Sequence, residues 1–229
     1  MGWLRKKRNI PEAIKILVEN SHRWAGVVSG PPGSGKTTFI KAIVKMSHKP
    51  VIVVSVKEKQ SVEHVDIPED VVINGISRAL HFTAIGLRPS FDVLSVHSPK
   101  SLEDLENIAS KFKIDIAEWI LARLRVIKQW LVEENGRRYV RVPLYLRDYD
   151  ELERRLTVGL LYTARPHLPY IFVFDDSMAF VLNESYKEAA LAMLRPYLIS
   201  VNRYLDNREM LMHNPIIITP GGSGVCAAA

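Results

Sequence analysis

The 229-residue sequence contains one cysteine, Cys226, so no internal disulfide can staple it, and a reducing, cytoplasmic setting is expected. No apolar run approaches the roughly 18 residues that a membrane span needs. Stretches such as Leu156–Ala164 are far shorter, so no membrane partner is expected. Glycine (12) and proline (13) are too few for a collagen-like or low-complexity chain. The seven histidines are scattered, without the His/Cys/acid spacing of a zinc site. No internal repeat is present. The opening MGWLRKKRN is basic but has no apolar stretch behind it, so it does not read as a secretory signal. Lys6 stands where a myristoylation pattern needs Ser or Thr, and Cys226-Ala-Ala-Ala fits only the loose prenylation pattern.

Acids are outnumbered, 25 against 31 Lys plus Arg, giving a net charge of +6. That excess is compatible with an anionic partner without selecting one. Hydrophobic residues at 47% and charged residues at 24% are ordinary for a globular chain with its own core.

Short helices and β-branched runs alternate along the chain. Pro11–Ser21 reads as a helix, Trp24–Ser29 as a strand ending at Gly30, and Thr37–Met46 as a helix with Phe39, Ile40 and Ile43 at helical spacing. Pro50–Val56 reads as a buried strand. Glu69–Ile85 reads as a helix, and so does Leu102–Phe112, with Ser101 and Asp104 as its start signature. Ile116–Leu131 follows, opened by Asp115 and Glu118. Then come Trp130–Glu134, Asn135-Gly136 and Arg137–Val142, a hairpin by its Asn-Gly turn. Asp150–Ala164 is helical, Tyr170–Phe174 is a strand ending in Asp175-Asp176, and Glu184–Leu205 is a helix interrupted at Pro196. Ile216–Thr219 is a last buried strand. Strand, glycine loop, helix and strand in that order open an α/β sheet domain.

The sequence Gly30-Pro31-Pro32-Gly33-Ser34-Gly35-Lys36-Thr37 matches G-x-x-x-x-G-K-[ST], with a strand before it and a helix after it. Its glycines let backbone N–H groups close on phosphate oxygens, and the following helix start favours an anion. Lys36 would reach the β- and γ-phosphates, and the Thr37 hydroxyl would ligate Mg²⁺. Gly30 to Thr38 is thus the candidate cradle for ATP.

These residues resemble the P-loop NTPases, and the resemblance covers most of the α/β part. It implies a mainly parallel sheet flanked by helices, with ATP and Mg²⁺ as cofactors. It also implies that Asp175 holds the metal and that Asp176, where the additional-strand (AAA+ and RecA-like) branch usually has Glu, polarises water. In that branch a polar residue at the tip of the next strand senses the γ-phosphate, which points to Thr219. Arg203 and Arg208 precede that strand and are the arginine-finger candidates. Self-association or partner ATPase subunits are the family's expectation. The helical lid of familiar AAA+ proteins has no counterpart in Pro220–Ala229.

Residues 99–147 are expected to interrupt a core formed by 1–98 and 148–229. Two helices, a turn at Lys113–Asp115 and a hairpin resemble a winged helix-turn-helix. That likeness implies a DNA contact through Arg123, Arg125, Lys128, Arg137, Arg138 and Arg141, with Tyr139 between arginines. Protein contact and a plain structural role are the other readings of this insert. The functional reading is an Mg-dependent ATPase acting as motor, loader or switch on nucleic acid. The alternatives are a P-loop small-molecule or nucleotide kinase, since the glycine loop is also close to that of adenylate-kinase-like enzymes, and a nucleotide-gated DNA-binding regulator with little turnover. A GTPase is disfavoured by the absence of N-K-x-D.

Overall fold

A computed structural model describes residues 26–28, 36–83, 94, 96–175 and 216–219, with only the backbone path for 26–28, 36 and 216–219. The helices expected at 11–21 and 184–205 lie outside the described residues.

Two sheets organise the chain. The first contains β1 (Gly26–Val28), β2 (Val51–Val54), β6 (Ile171–Phe174) and β7 (Ile216–Thr219), in the order β1-β7-β6-β2. β2 and β6 are parallel, Val51 opposite Ile171 and Val54 opposite Phe174. β7 is antiparallel to both β6 and β1, so three of its four strands run one way and β7 is reversed. The second sheet is antiparallel, in the order β3 (His64–Pro68), β5 (Arg137–Pro143), β4 (Leu131–Glu134).

Side-chain alternation lets the parallel pair bury both faces. Val53, Ile171 and Val173 point to one side, where they meet Ile40 and Ile43 of α1 (Lys36–Met46). Those two isoleucines are 3% and 1% exposed. Burial of each is worth about 1.5–3 kcal/mol against leaving it in water. Ile52, Val54, Phe172 and Phe174 point to the other side, into a larger core shared with every element between residues 64 and 164. Continuous burial on β6 is what a run of Ile-Phe-Val-Phe dictates for an inner strand.

That larger core is mostly helical. α2 (Glu69–His81), α3 (Leu102–Ala109), α4 (Ile114–Gln129) and α5 (Glu151–Ala164) surround it. The Ser101 side chain accepts from the Asp104 N–H at 3.1 Å, as the sequence expects. α4 begins two residues earlier than its pattern suggests. Lys113 is its N-cap without a side-chain hydrogen bond, so Asp115 sits inside the first turn, where its charge favours the positive end of the helix. α5 starts with a capping box, Asp150 and Glu153 each accepting from the other's N–H at 2.8 Å. The Asn135-Gly136 turn has φ of 53° and 71°, the two positive angles that a tight two-residue hairpin loop needs.

α5 is buried from Arg155 to Tyr162, and its closest neighbour is α2. Glycine makes that crossing feasible. A Cβ on Gly159 would lie 2.5 Å from the Ala79 carbonyl oxygen, and one on Gly75 would lie 3.0 Å from the Thr163 Cβ.

β3 is absent from the sequence reading. Its pattern, His-Val-Asp-Ile-Pro with Val65 and Ile67 buried, alternates but holds only two buried apolar residues, too few to mark a strand by themselves. Through β3 the hairpin's sheet takes a strand from upstream of residues 99–147.

Candidate nucleotide site

The carboxyl end of the parallel pair carries the acid that the sequence singles out. Asp175 follows β6 directly, is 5% exposed, and donates its N–H to the Val54 carbonyl at 2.9 Å. The strand pairing therefore fixes its backbone one step beyond the sheet edge. A carboxylate held at such a depth has the chemistry of a hard-cation ligand.

α1 is aimed at the same edge. Only residues 47–50 join Met46 to Val51, so the helix ends beside the amino end of β2. An 11-residue helix rises about 16 Å, and a four-residue strand about 13 Å. Running back along the sheet face through Ile43 and Ile40, the helix brings Lys36, Thr37 and Thr38 to the carboxyl edge. Its first turn has no acid and its last turn has Lys45, so nothing on the helix cancels the positive field at its start. Thr37 is half-buried and Thr38 exposed. Gly30, Pro31, Pro32, Gly33, Ser34 and Gly35 lie outside the described residues, as do Asp176, Arg203 and Arg208.

β7 does not bring Thr219 to this edge. In the antiparallel register Thr219 stands opposite Phe172, and Ile217 opposite Phe174. Reversal of the strand places its last residue toward the amino end of β6, away from Asp175, so the expected γ-phosphate contact is not met in this register. At that amino edge a cleft of about 690 Å³ opens between Ser47, His48, Val51, His64 and Tyr170. It is the wrong end of the sheet for the phosphate loop.

Four of the six cations assigned to nucleic acid are half-buried and engaged by the protein's own groups. The Arg123 guanidinium lies 3.4 Å over the Trp119 ring and donates to the Thr83 hydroxyl at 2.9 Å. Lys128 bonds Glu106 at 2.8 Å. Arg138 forks onto both Glu103 oxygens, with Nη2 to Oε1 at 2.9 Å and Nη1 to Oε2 at 3.1 Å, and its Nε pairs with Glu69 at 3.1 Å. Glu69 is itself buried and accepts from the Leu102 N–H at 2.9 Å, satisfying one orphan donor at the start of α3. Arg141 forks onto Asp66, its cross-strand partner, at 2.9 and 3.0 Å, and reaches Glu134 at 2.8 Å. Arg125 and Arg137 are the two that are exposed and make no ion pair among the described residues.

These pairs move charge states in the directions that opposite charges impose. The Arg138 hydrogen bonds hold the Glu103 carboxyl down at about 2, with Lys128 assisting. Arg141 lowers Asp66 through its hydrogen bond, and Glu106 raises Lys128. The basic excess of this region is thus largely an internal clasp between helices and hairpin. The sequence could not reveal most of this, because apart from Glu134 the acids that receive the guanidinium groups lie far away along the chain, Asp66 75 residues from Arg141 and Glu103 35 residues from Arg138.

Among the described residues no helix is long and apolar enough to cross a membrane. No curated protein and no solved structure matches the chain. Residues 27–113 match the family model described as ATPase family associated with various cellular activities (AAA). The matched segment starts in β1, runs through the phosphate loop, α1 and β2, and ends just before α4; Asp175 lies beyond it. That match makes residues 27–113 similar to the AAA ATPases, and the α/β frame with its mainly parallel sheet is consistent with a P-loop NTPase.

Proposed function

We propose that this protein is an Mg-dependent ATPase that works with nucleic acid. The observation that carries the first half is the buried Asp175 at the carboxyl end of β6, toward which the acid-free start of α1 runs. Gly30 to Thr38 would wrap the phosphates, Lys36 would bind the β- and γ-phosphates, and Thr37 and Asp175 would hold Mg²⁺. The ion would supply charge neutralisation between the phosphate oxygens. Asp176 would orient the attacking water. AAA-type ATPases commonly self-associate, and a homo-oligomer or an assembly with partner ATPase subunits is part of the proposal.

The nucleic-acid half rests on shape and on two residues. α3, the turn at 110–113, α4 and the β4–β5 hairpin follow one another in the order of a winged helix-turn-helix. In this reading residues 99–147 are a module inserted between 1–98 and 148–229, with β3 completing its sheet. Arg125 on α4 and Arg137 at the hairpin are the cations free to meet phosphates.

The test is ATP hydrolysis with and without double- and single-stranded DNA, with Lys36→Ala as the blank. Stimulation that vanishes in Lys36→Ala is expected. DNA affinity should fall in the Arg125→Ala/Arg137→Ala double variant, with the salt slope of log K reduced by about 2. Lys128→Ala should leave that slope unchanged. Hydrolysis indifferent to DNA rejects the nucleic-acid half. Absence of hydrolysis under every condition rejects the ATPase.

A further inference from the structure

The strand β5 does not end where its sheet ends. Past Pro143 the chain bends at Leu144 and joins the first sheet. The Ser55 N–H donates to the Leu144 carbonyl at 3.0 Å, and the Leu146 N–H donates to the Ser55 carbonyl at 2.9 Å. This is a parallel bridge, Ser55 opposite Tyr145, on the free edge of β2. Residues 137–146 are therefore one continuous segment, bent at Leu144, that pairs with both sheets. Its first part pairs with β3 and β4, and its last part pairs with the residue that follows Val54, whose carbonyl receives the Asp175 N–H.

The junction has little slack. Leu144 and Leu146 are 2% and 0% exposed. The Ser55 hydroxyl, itself buried, accepts from the N–H groups of Lys57 at 3.1 Å and Glu58 at 3.3 Å. The Leu144 N–H donates to the Glu63 carbonyl at 2.9 Å. On the far side, Arg154 of α5 donates from Nε to the Leu146 carbonyl at 3.0 Å and from Nη2 to the Arg147 carbonyl at 2.8 Å. A displacement of Asp175 along the strand direction would pass to Val54 and Ser55, and from there to a segment whose other end is the hairpin. Buried hydrogen-bonded backbone transmits such a shift, because bending it would leave buried polar groups unpaired.

We infer that residues 137–146 couple the nucleotide site to the hairpin, and that Arg154 is the positioning residue that keeps this segment seated on β2. The inference rests on the ATPase reading. It gives nucleotide state a route to the β4–β5 surface and, by reciprocity of linkage, gives whatever binds that surface a route to Asp175.

The experiment is amide hydrogen exchange on the full chain, with and without Mg²⁺ and a slowly hydrolysed ATP analogue, in the wild type and in Arg154→Ala. In the wild type, nucleotide should slow exchange at residues 36–38, at Ser55 and Leu146, and at Arg137–Arg141, by roughly threefold or more at the last. In Arg154→Ala the protection at 36–38 should persist while that at 137–141 is lost. ATP turnover should fall with the analogue's affinity unchanged, a split that loss of folding does not produce. Protection at 36–38 that stops short of 137–146 in the wild type overturns the coupling and leaves the ATPase reading standing. Undiminished protection at 137–141 in Arg154→Ala overturns the role of Arg154. No protection at 36–38 overturns the nucleotide reading and the coupling together. The wild-type comparison decides the coupling even where Arg154→Ala does not fold.

Discussion

The two halves of this molecule announce themselves in opposite ways. The nucleotide half declares its chemistry in a contiguous octapeptide, Gly30 to Thr37, because a phosphate cradle is made by one turn of backbone and needs its residue types side by side. The half that lies between β2 and β6 declares its shape through caps, periodicity and an Asn-Gly turn, and conceals its chemistry. Its arginines look like a surface for phosphates when read along the chain. In three dimensions Arg138 and Arg141 close on Glu103, Glu69, Asp66 and Glu134. The difference is one of range: chemistry made by neighbours in sequence is legible, and charge cancelled by distant residues is not.

Asp175→Asn is the sharpest way to separate the halves. It keeps the size of the side chain and removes the charge that a hard cation needs. Turnover of Mg–ATP should fall by about 100-fold, the scale for loss of one preorganised electrostatic contact. Thermal unfolding should change far less than turnover, because Asn keeps the size of the buried side chain. A steady-state assay over a range of Mg²⁺ concentrations, beside a melting curve, measures both. Retained turnover would move the metal ligand elsewhere.

Gly159→Ala attacks the other half alone. Its new methyl group would collide with the Ala79 carbonyl, a backbone atom that cannot rotate away. Overpacking of this kind costs about 1–3 kcal/mol. For a chain of this size that lowers the melting temperature by roughly 2–4 °C per kcal/mol. Nucleotide affinity should be nearly unchanged at temperatures where the variant is folded. Full stability of Gly159→Ala, read by denaturant melting, would mean that α2 and α5 do not cross as closely as described.

The limits of sequence reading follow the same rule of range. The parallel strands β2 and β6 are legible in Val-Ile-Val-Val and Ile-Phe-Val-Phe, since dense β-branched and aromatic runs bury on both faces. The hairpin is legible in Asn135-Gly136. By contrast, β3 ends in Pro68 and holds only Val65 and Ile67 as buried apolar residues, too short a pattern to stand without its partner β5. The passage of residues 144–146 from one sheet to the other leaves no local signal, because backbone hydrogen bonds carry it and any side chain could supply them. The reversed direction of β7, which takes Thr219 from the phosphate edge, is likewise a matter of connection and not of composition.

Glu103 offers the finest test of the clasp. Its carboxyl is held at about 2 against an ordinary 4.5, first by hydrogen bonds from Arg138. A lowered folded value means that the charged form contributes stability above about pH 4.5, and that this contribution disappears as the pH falls toward 2. The carboxylate is about half exposed, so water and salt screen the pair and its contribution is small. Glu103→Gln removes the titration. Wild type should therefore exceed Glu103→Gln in urea melting at pH 7 by a few tenths to about 1 kcal/mol. The gap should narrow through the acid window and close near pH 2, and it should shrink in high salt at neutral pH. A gap of equal size at both ends of the pH range would show that Arg138 is not held by Glu103, and would return that arginine to the surface available for phosphates.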